Sequence, residues 1–188
     1  MAARDMTKQD YWDLGADTER WWREHVKSIM PHLRHITRCR GYDFKGEHEG
    51  ETLLIDSKFL REEYREKGWI EIKTWGKITG IMETGRTHYH NPKVNVFLAV
   101  MAHGQHYLYD VKAIITAIQE GALPLVKGKS TDDTGAETDN VHVVMDGWTD
   151  NRFLILSGPM KTELWKPRTT IGKDIMIEKW MEGTWETA

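Results

Sequence analysis

An α+β or α/β sandwich is the architecture this sequence predicts, on three observations. A helical run near the N-terminus precedes a group of alternating, strand-like segments; an amphipathic helix follows Asp110; further β-like segments close the chain. With 188 residues the chain suits one domain with a modest appendage. Hydrophobic residues make up 39% and charged residues 29%, the balance of a globular rather than a disordered protein.

The first element is expected over residues 18–35. Asp17 or Thr18 caps it, and Trp22, Val26, Ile29, Met30 and Leu33 recur at helical spacing. Glu19 falls on or beside that apolar stripe, an odd place for a carboxylate without a task. Pro31 kinks the last turn or splits it off. Gly41 to Lys45 and Thr52 to Phe59 read as strands flanking a loop at His48 to Glu51. Arg61 to Lys67 is highly charged and reads as a solvated connection, followed by a strand from Trp69 to Trp75. Gly76, Gly80 and Gly85 punctuate a loop. Val94 to Met101 is an apolar strand, paired with His106 to Tyr109 across His103-Gly104-Gln105. Asp110 opens a helix through about Gln119, with Val111, Ile114, Ile115 and Ile118 on one side. Val141 to Met145 and Arg152 to Ser157 are the last strands. The domain reading is a core over residues 1–126, a flexible loop or linker over 127–140, and a β-rich extension over 141–188 packed on the core.

Composition excludes several classes. No apolar run approaches the roughly 18 residues of a membrane span, and the N-terminal stretch lacks the apolar segment of a secretory signal. Cys39 is the single cysteine, so no internal disulfide forms and a cytoplasmic setting fits. The net charge is −3, which counts against a coat protein gripping phosphates non-specifically. It counts less against an enzyme whose acidic site is neutralised by bound cations.

Strand alternation points to chemistry. With a four-residue loop at His48 to Glu51, Glu47 pairs with Thr52, Phe44 with Ile55, and Asp43 lies opposite Asp56. Phe44, Leu53 and Ile55 then share one face, while Asp43, Leu54, Asp56 and Lys58 share the other. Opposed like charges cost stability, and a cation between them reverses the sign. Hard oxygen ligands of this kind suit Mg²⁺. On the next strand, Glu71 and Lys73 share a face with Trp69 and Trp75. Glu71 can approach the same ion if that strand neighbours the hairpin.

At this point the chain resembles the PD-(D/E)XK nuclease superfamily, whose pattern is an acidic residue, a gap, then Asp or Glu, any residue, and Lys. Asp43 followed by Asp56-Ser57-Lys58 fits, and so does Asp56 followed by Glu71-Ile72-Lys73. The helix with Glu19 and the region from Tyr42 to Met101 look like phage-type members. No proline precedes Asp43, and two tripeptides compete. The resemblance covers about residues 18–118. It implies a restriction-endonuclease-like core, a mixed β-sheet flanked by helices with extra C-terminal β structure, and metal-dependent hydrolysis of phosphodiester bonds in DNA. Asp43 and Asp56 would hold Mg²⁺ (or Mn²⁺), and Lys58 would orient water or stabilise charge. Glu19 and the accessory acid Glu71 would hold a second ion or orient the first, and Lys73 is the catalytic lysine of the competing tripeptide. The same resemblance accommodates an endonuclease or an exonuclease, in host cytoplasm if phage-encoded, with nucleic acid as partner and room for a homo-oligomer. A catalytically inactive nuclease-fold module and an enzyme acting on another phosphate ester are the rivals.

Weaker signals are basic and imidazole groups. Arg34, Arg38 and Arg40 form a stretch leading to the hairpin, and Arg86 and Lys93 are further candidates for substrate phosphate. His88, His90, His103 and His106 invite a zinc reading, but no cysteine or acid sits at a standard spacing. They read as loop histidines.

Overall fold

A computed structural model of the chain describes residues 7–30, 34–35, 41–58, 62–74, 76–131, 137–145, 152–175 and 177. Helix α1 (Lys8–Ile29) begins ten residues earlier than its apolar stripe suggests. Thr7 and Asp10 form a capping box that satisfies two orphan backbone donors, a signal stronger than Asp17 or Thr18. Strands β1 (Arg34–His35), β2 (Phe44–His48) and β3 (Glu51–Lys58) form a meander. The register pairs Glu47 with Thr52 and Phe44 with Ile55, as alternation requires. The ladder runs one pair further, to His48 and Glu51, so the turn is Glu49-Gly50, both with positive φ. That is the primed-turn geometry that matches strand twist, and glycine takes it without strain.

Helix α2 (Glu62–Lys67) replaces the expected solvated connection, and Arg65 within it is only 4% exposed. Then follow β4 (Trp69–Thr74), β5 (Lys77–Ile78) and α3 (Gly80–Thr87), where a glycine-punctuated loop was anticipated. Gly85 belongs in that helix because a Cβ there would meet Val111 and Ile115 at 2.6 and 2.8 Å. Its absence lets α3 pack closely on α4 (Val111–Gln119), the helix capped by Asp110. Strands β6 (Val94–Ala102) and β7 (Gln105–Asp110) form the anticipated hairpin. Strands β8 (Leu125–Thr131) and β9 (Glu137–Val144) correct the expected linker over 127–140. Apart from Ala136 the segment has no apolar residue, and β9 buries Thr138 and Asn140, then His142 beyond it, on alternate positions instead; residues 132–136 lie outside the described residues. Strand β10 (Leu154–Pro159) and helix α5 (Thr170–Asp174) follow.

The fold is α+β with two sheets flanked by helices. The mixed sheet has the order β1-β2-β3-β6-β7-β10, with β3 and β6 parallel and the other pairs antiparallel. The antiparallel sheet has the order β5-β4-β9-β8. Phe44, Leu53 and Ile55 pack with Leu14, Trp22 and Val26 of α1 on one face of the mixed sheet. Leu54 and Val96 on the other face join Ile70, Ile72, Val143 and helices α3 and α4. Within the α1 layer His25 Nε2 lies 3.0 Å from His106 Nδ1, both rings buried against Trp21 and Trp22. His106 is therefore a core residue, not a loop histidine. Among the described residues, no helix is long and apolar enough to cross a membrane.

Candidate functional site

Asp43, Asp56 and Lys58 converge where β2 begins and β3 ends. Asp43 sits just before β2, and its N–H donates to the Ile55 carbonyl at 2.8 Å. Its Oδ2 accepts from the Ser57 backbone N–H and the Ser57 hydroxyl, both at 2.9 Å. Those two bonds lock the carboxylate at the end of the sheet, between the faces used by Ser57 and Asp56. Ser57, the middle residue of the tripeptide, is thus a positioning residue that the motif alone does not reveal.

Asp56 is 7% exposed, and its Oδ2 pairs with Lys58 Nζ at 2.5 Å. Alternation explains the contact, since positions two apart on a strand share a face. Burial raises the Asp56 carboxyl from 3.8 to about 6; Lys58 opposes the rise, and the Asp43 charge adds to it. Burial pulls Lys58 down, but the charges of Asp56, Asp43 and Glu71 outweigh it and hold the ammonium above its ordinary value. Lys58 still exposes 40% of its side chain, so a ligand can reach it.

Glu71 arrives by a different route from the one anticipated. Strand β4 does not neighbour the β2–β3 hairpin; it lies in the second sheet, paired with β9 and β5. The pairing with β9 shifts register between Glu71 and Lys73. Glu71 accepts a hydrogen bond from Thr74 and acts on Lys58 through its charge. Lys73 stands exposed beside Val141 and Ile78, and only Lys58 of the two lysines pairs with Asp56.

Glu19 lines a cleft of about 410 Å³ together with Asp43 and Ser57. Tyr11, Trp12, Gly15, Ala16 and Thr18 complete its α1 wall. Helical spacing puts 12, 15 and 19 on one face, a signal that appears once the helix is started at its capping box. The basic candidates are distributed otherwise. The Lys93 carbonyl accepts from Thr52 N–H, which fixes Lys93 at the far end of β3. Six residues of strand, about 20 Å, separate it from Lys58. The parallel β3–β6 pairing thus puts Lys93 at the opposite end of β3 from Lys58. Arg86 is exposed in the last turn of α3, whose first residue Gly80 touches Gly41. It stands about 9 Å along the helix from that contact. Arg38 and Arg40 lie outside the described residues.

The two carboxylates are oxygen donors of the kind a hard divalent cation takes, typically one or two with waters retained, while the Lys58 ammonium is not a ligand. Burial is the main cause of the raised Asp56 carboxyl, and the neighbouring Asp43 charge adds to it. Among the described residues no three His, Cys, Asp or Glu side chains converge as a closed metal cage. No family model matches the chain, and no curated protein or solved structure matches it either.

Proposed function

We propose that the chain is a metal-dependent phosphodiesterase acting on DNA, a nuclease of PD-(D/E)XK type. The observation that carries this reading is the buried Asp56, its proton affinity raised beside Asp43 and its Oδ2 on Lys58. Asp43, fixed by Ser57, and Asp56 would hold Mg²⁺ or Mn²⁺. When bound, the ion would polarise the phosphate and lower the pKa of the attacking water. Lys58 would then leave Asp56 and, as an ammonium, stabilise charge on the phosphoryl oxygens. Asp43 and Asp56 would orient the water, and the cleft along α1 would accept the adjoining substrate. One observation favours a catalytically inactive module instead: Lys58 is already engaged by Asp56.

The test is cleavage of plasmid and single-stranded DNA by the purified full chain. Turnover is expected in Mg²⁺ or Mn²⁺ and absent in chelator. Chelator-insensitive cutting would remove the metal mechanism, and binding without cutting in any divalent ion would favour the inactive module.

A further inference from the structure

The cleft that ends at Asp43 has an aromatic wall with no part in hydrolysis. Trp12 is 67% exposed, the most exposed large apolar side chain among the described residues, and Tyr11 stands beside it. A single exposed indole is unremarkable by itself. This one borders a cleft whose other end carries the Asp43 carboxylate, so its exposed face and the candidate site belong to one surface. The wall at Gly15 faces open space, since a Cβ there would meet nothing within 4 Å. At about 410 Å³ the cleft is within the roughly 300–1,000 Å³ of small-ligand sites.

Its chemistry narrows the occupant. The lining offers carboxylates at Glu19 and Asp43, hydroxyls at Thr18 and Ser57, and two aromatic rings, with no lysine or arginine. A bare phosphate would be repelled there. A flat ring bearing N–H donors would be held: its face stacks on an aromatic side chain, and its donors meet a carboxylate. We propose that the cleft receives the unpaired base of the nucleotide adjoining the scissile phosphate, with Trp12 as its stacking wall and Glu19 as acceptor. This rests on the hydrolytic reading and deepens it. A base stacked within a duplex cannot enter such a cleft, so the substrate class becomes single-stranded DNA or frayed ends.

The test is a fluorescence-anisotropy titration of the full chain in Ca²⁺. The probes are a labelled single-stranded oligonucleotide, the blunt duplex of the same sequence, and an abasic oligomer of equal length. Wild type is expected to bind the single strand more tightly than the duplex. Trp12→Ala should weaken single-strand binding about tenfold, Trp12→Phe should restore most of it, and the abasic oligomer should bind both variants as weakly as Trp12→Ala binds the intact strand. An unchanged melting temperature shows that the exposed indole was not structural. Equal affinity of wild type and Trp12→Ala for the single strand would overturn the proposal, and Mg²⁺-dependent cleavage by wild type would then leave the hydrolytic reading standing. Absence of both binding and cleavage would overturn both.

Discussion

Asp56 is held by three opposing influences, and its behaviour with pH separates them. Burial raises its carboxyl to about 6, Lys58 resists, and the Asp43 charge reinforces the rise. Because the folded value lies above the unfolded 3.8, the stabilising contribution is complete below about pH 3.8. It is lost as pH rises through about 6. Asp56→Asn stays neutral throughout. The variant should therefore melt higher than wild type at pH 8, with the gain shrinking toward pH 4. The Mg²⁺-induced rise in melting temperature should disappear with it. Thermal melts at both pH values, with and without Mg²⁺, read this directly; a variant that melts lower at pH 8 and still responds to Mg²⁺ would place Asp56 outside the site. The contact of Lys58 with Asp56 was legible in the sequence because positions two apart on a strand share a face. The hydrogen bonds that hold Asp43 on Ser57 were not, since Asp43 precedes the strand. Glu71 was legible as an acid but not in its route, since alternation cannot register the shift between Glu71 and Lys73.

At the level of elements, α1 carries the cleft wall and its pose depends on one buried carboxylate. Asp17 is 2% exposed, and it accepts from Arg168 N–H at 2.9 Å, Thr169 N–H at 3.2 Å, the Thr169 hydroxyl and the Arg20 guanidinium. Burial would raise its carboxyl, but these bonds outweigh it and hold it below the usual range. The bonds tie α1 to the turn that opens α5, and Gly172 leaves room for the carboxylate. Asp17→Ala should lower stability by about 3 kcal/mol, since several donors lose a charged acceptor in a buried place. Urea unfolding measures it; a loss under about 0.5 kcal/mol, the scale of an ordinary surface change, would mean the anchor is not structural. Asp17 reads in the sequence as a helix cap, because a residue whose partners lie 151 positions away leaves no local trace. The missed α3 and β8–β9 share a physical cause. Glycine in α3 serves close packing rather than a turn, and the polar residues of β9 are buried by partners that periodicity cannot supply.

For the whole molecule, the proposed site draws its side chains from both sheets and from α1. The mixed sheet supplies Asp43, Asp56 and Lys58, the second sheet supplies Glu71, and α1 supplies Glu19 and the aromatic wall. The layered α+β class was legible from segment order, whereas the division into two sheets was not, because β4 follows β3 in sequence yet pairs with β9. That division decides between the competing lysines. Lys58 touches Asp56 and faces three carboxylate charges, while Lys73 is exposed beyond the register shift. The most direct measurement is the single-turnover rate of DNA cleavage in Mg²⁺ for wild type, Lys58→Ala and Lys73→Ala, with melting curves confirming the folds. The account predicts that Lys58→Ala loses a hundredfold or more, about the 10²–10³ of a lost transition-state donor, while Lys73→Ala stays within about threefold. Full activity in Lys58→Ala with loss in Lys73→Ala would contradict it.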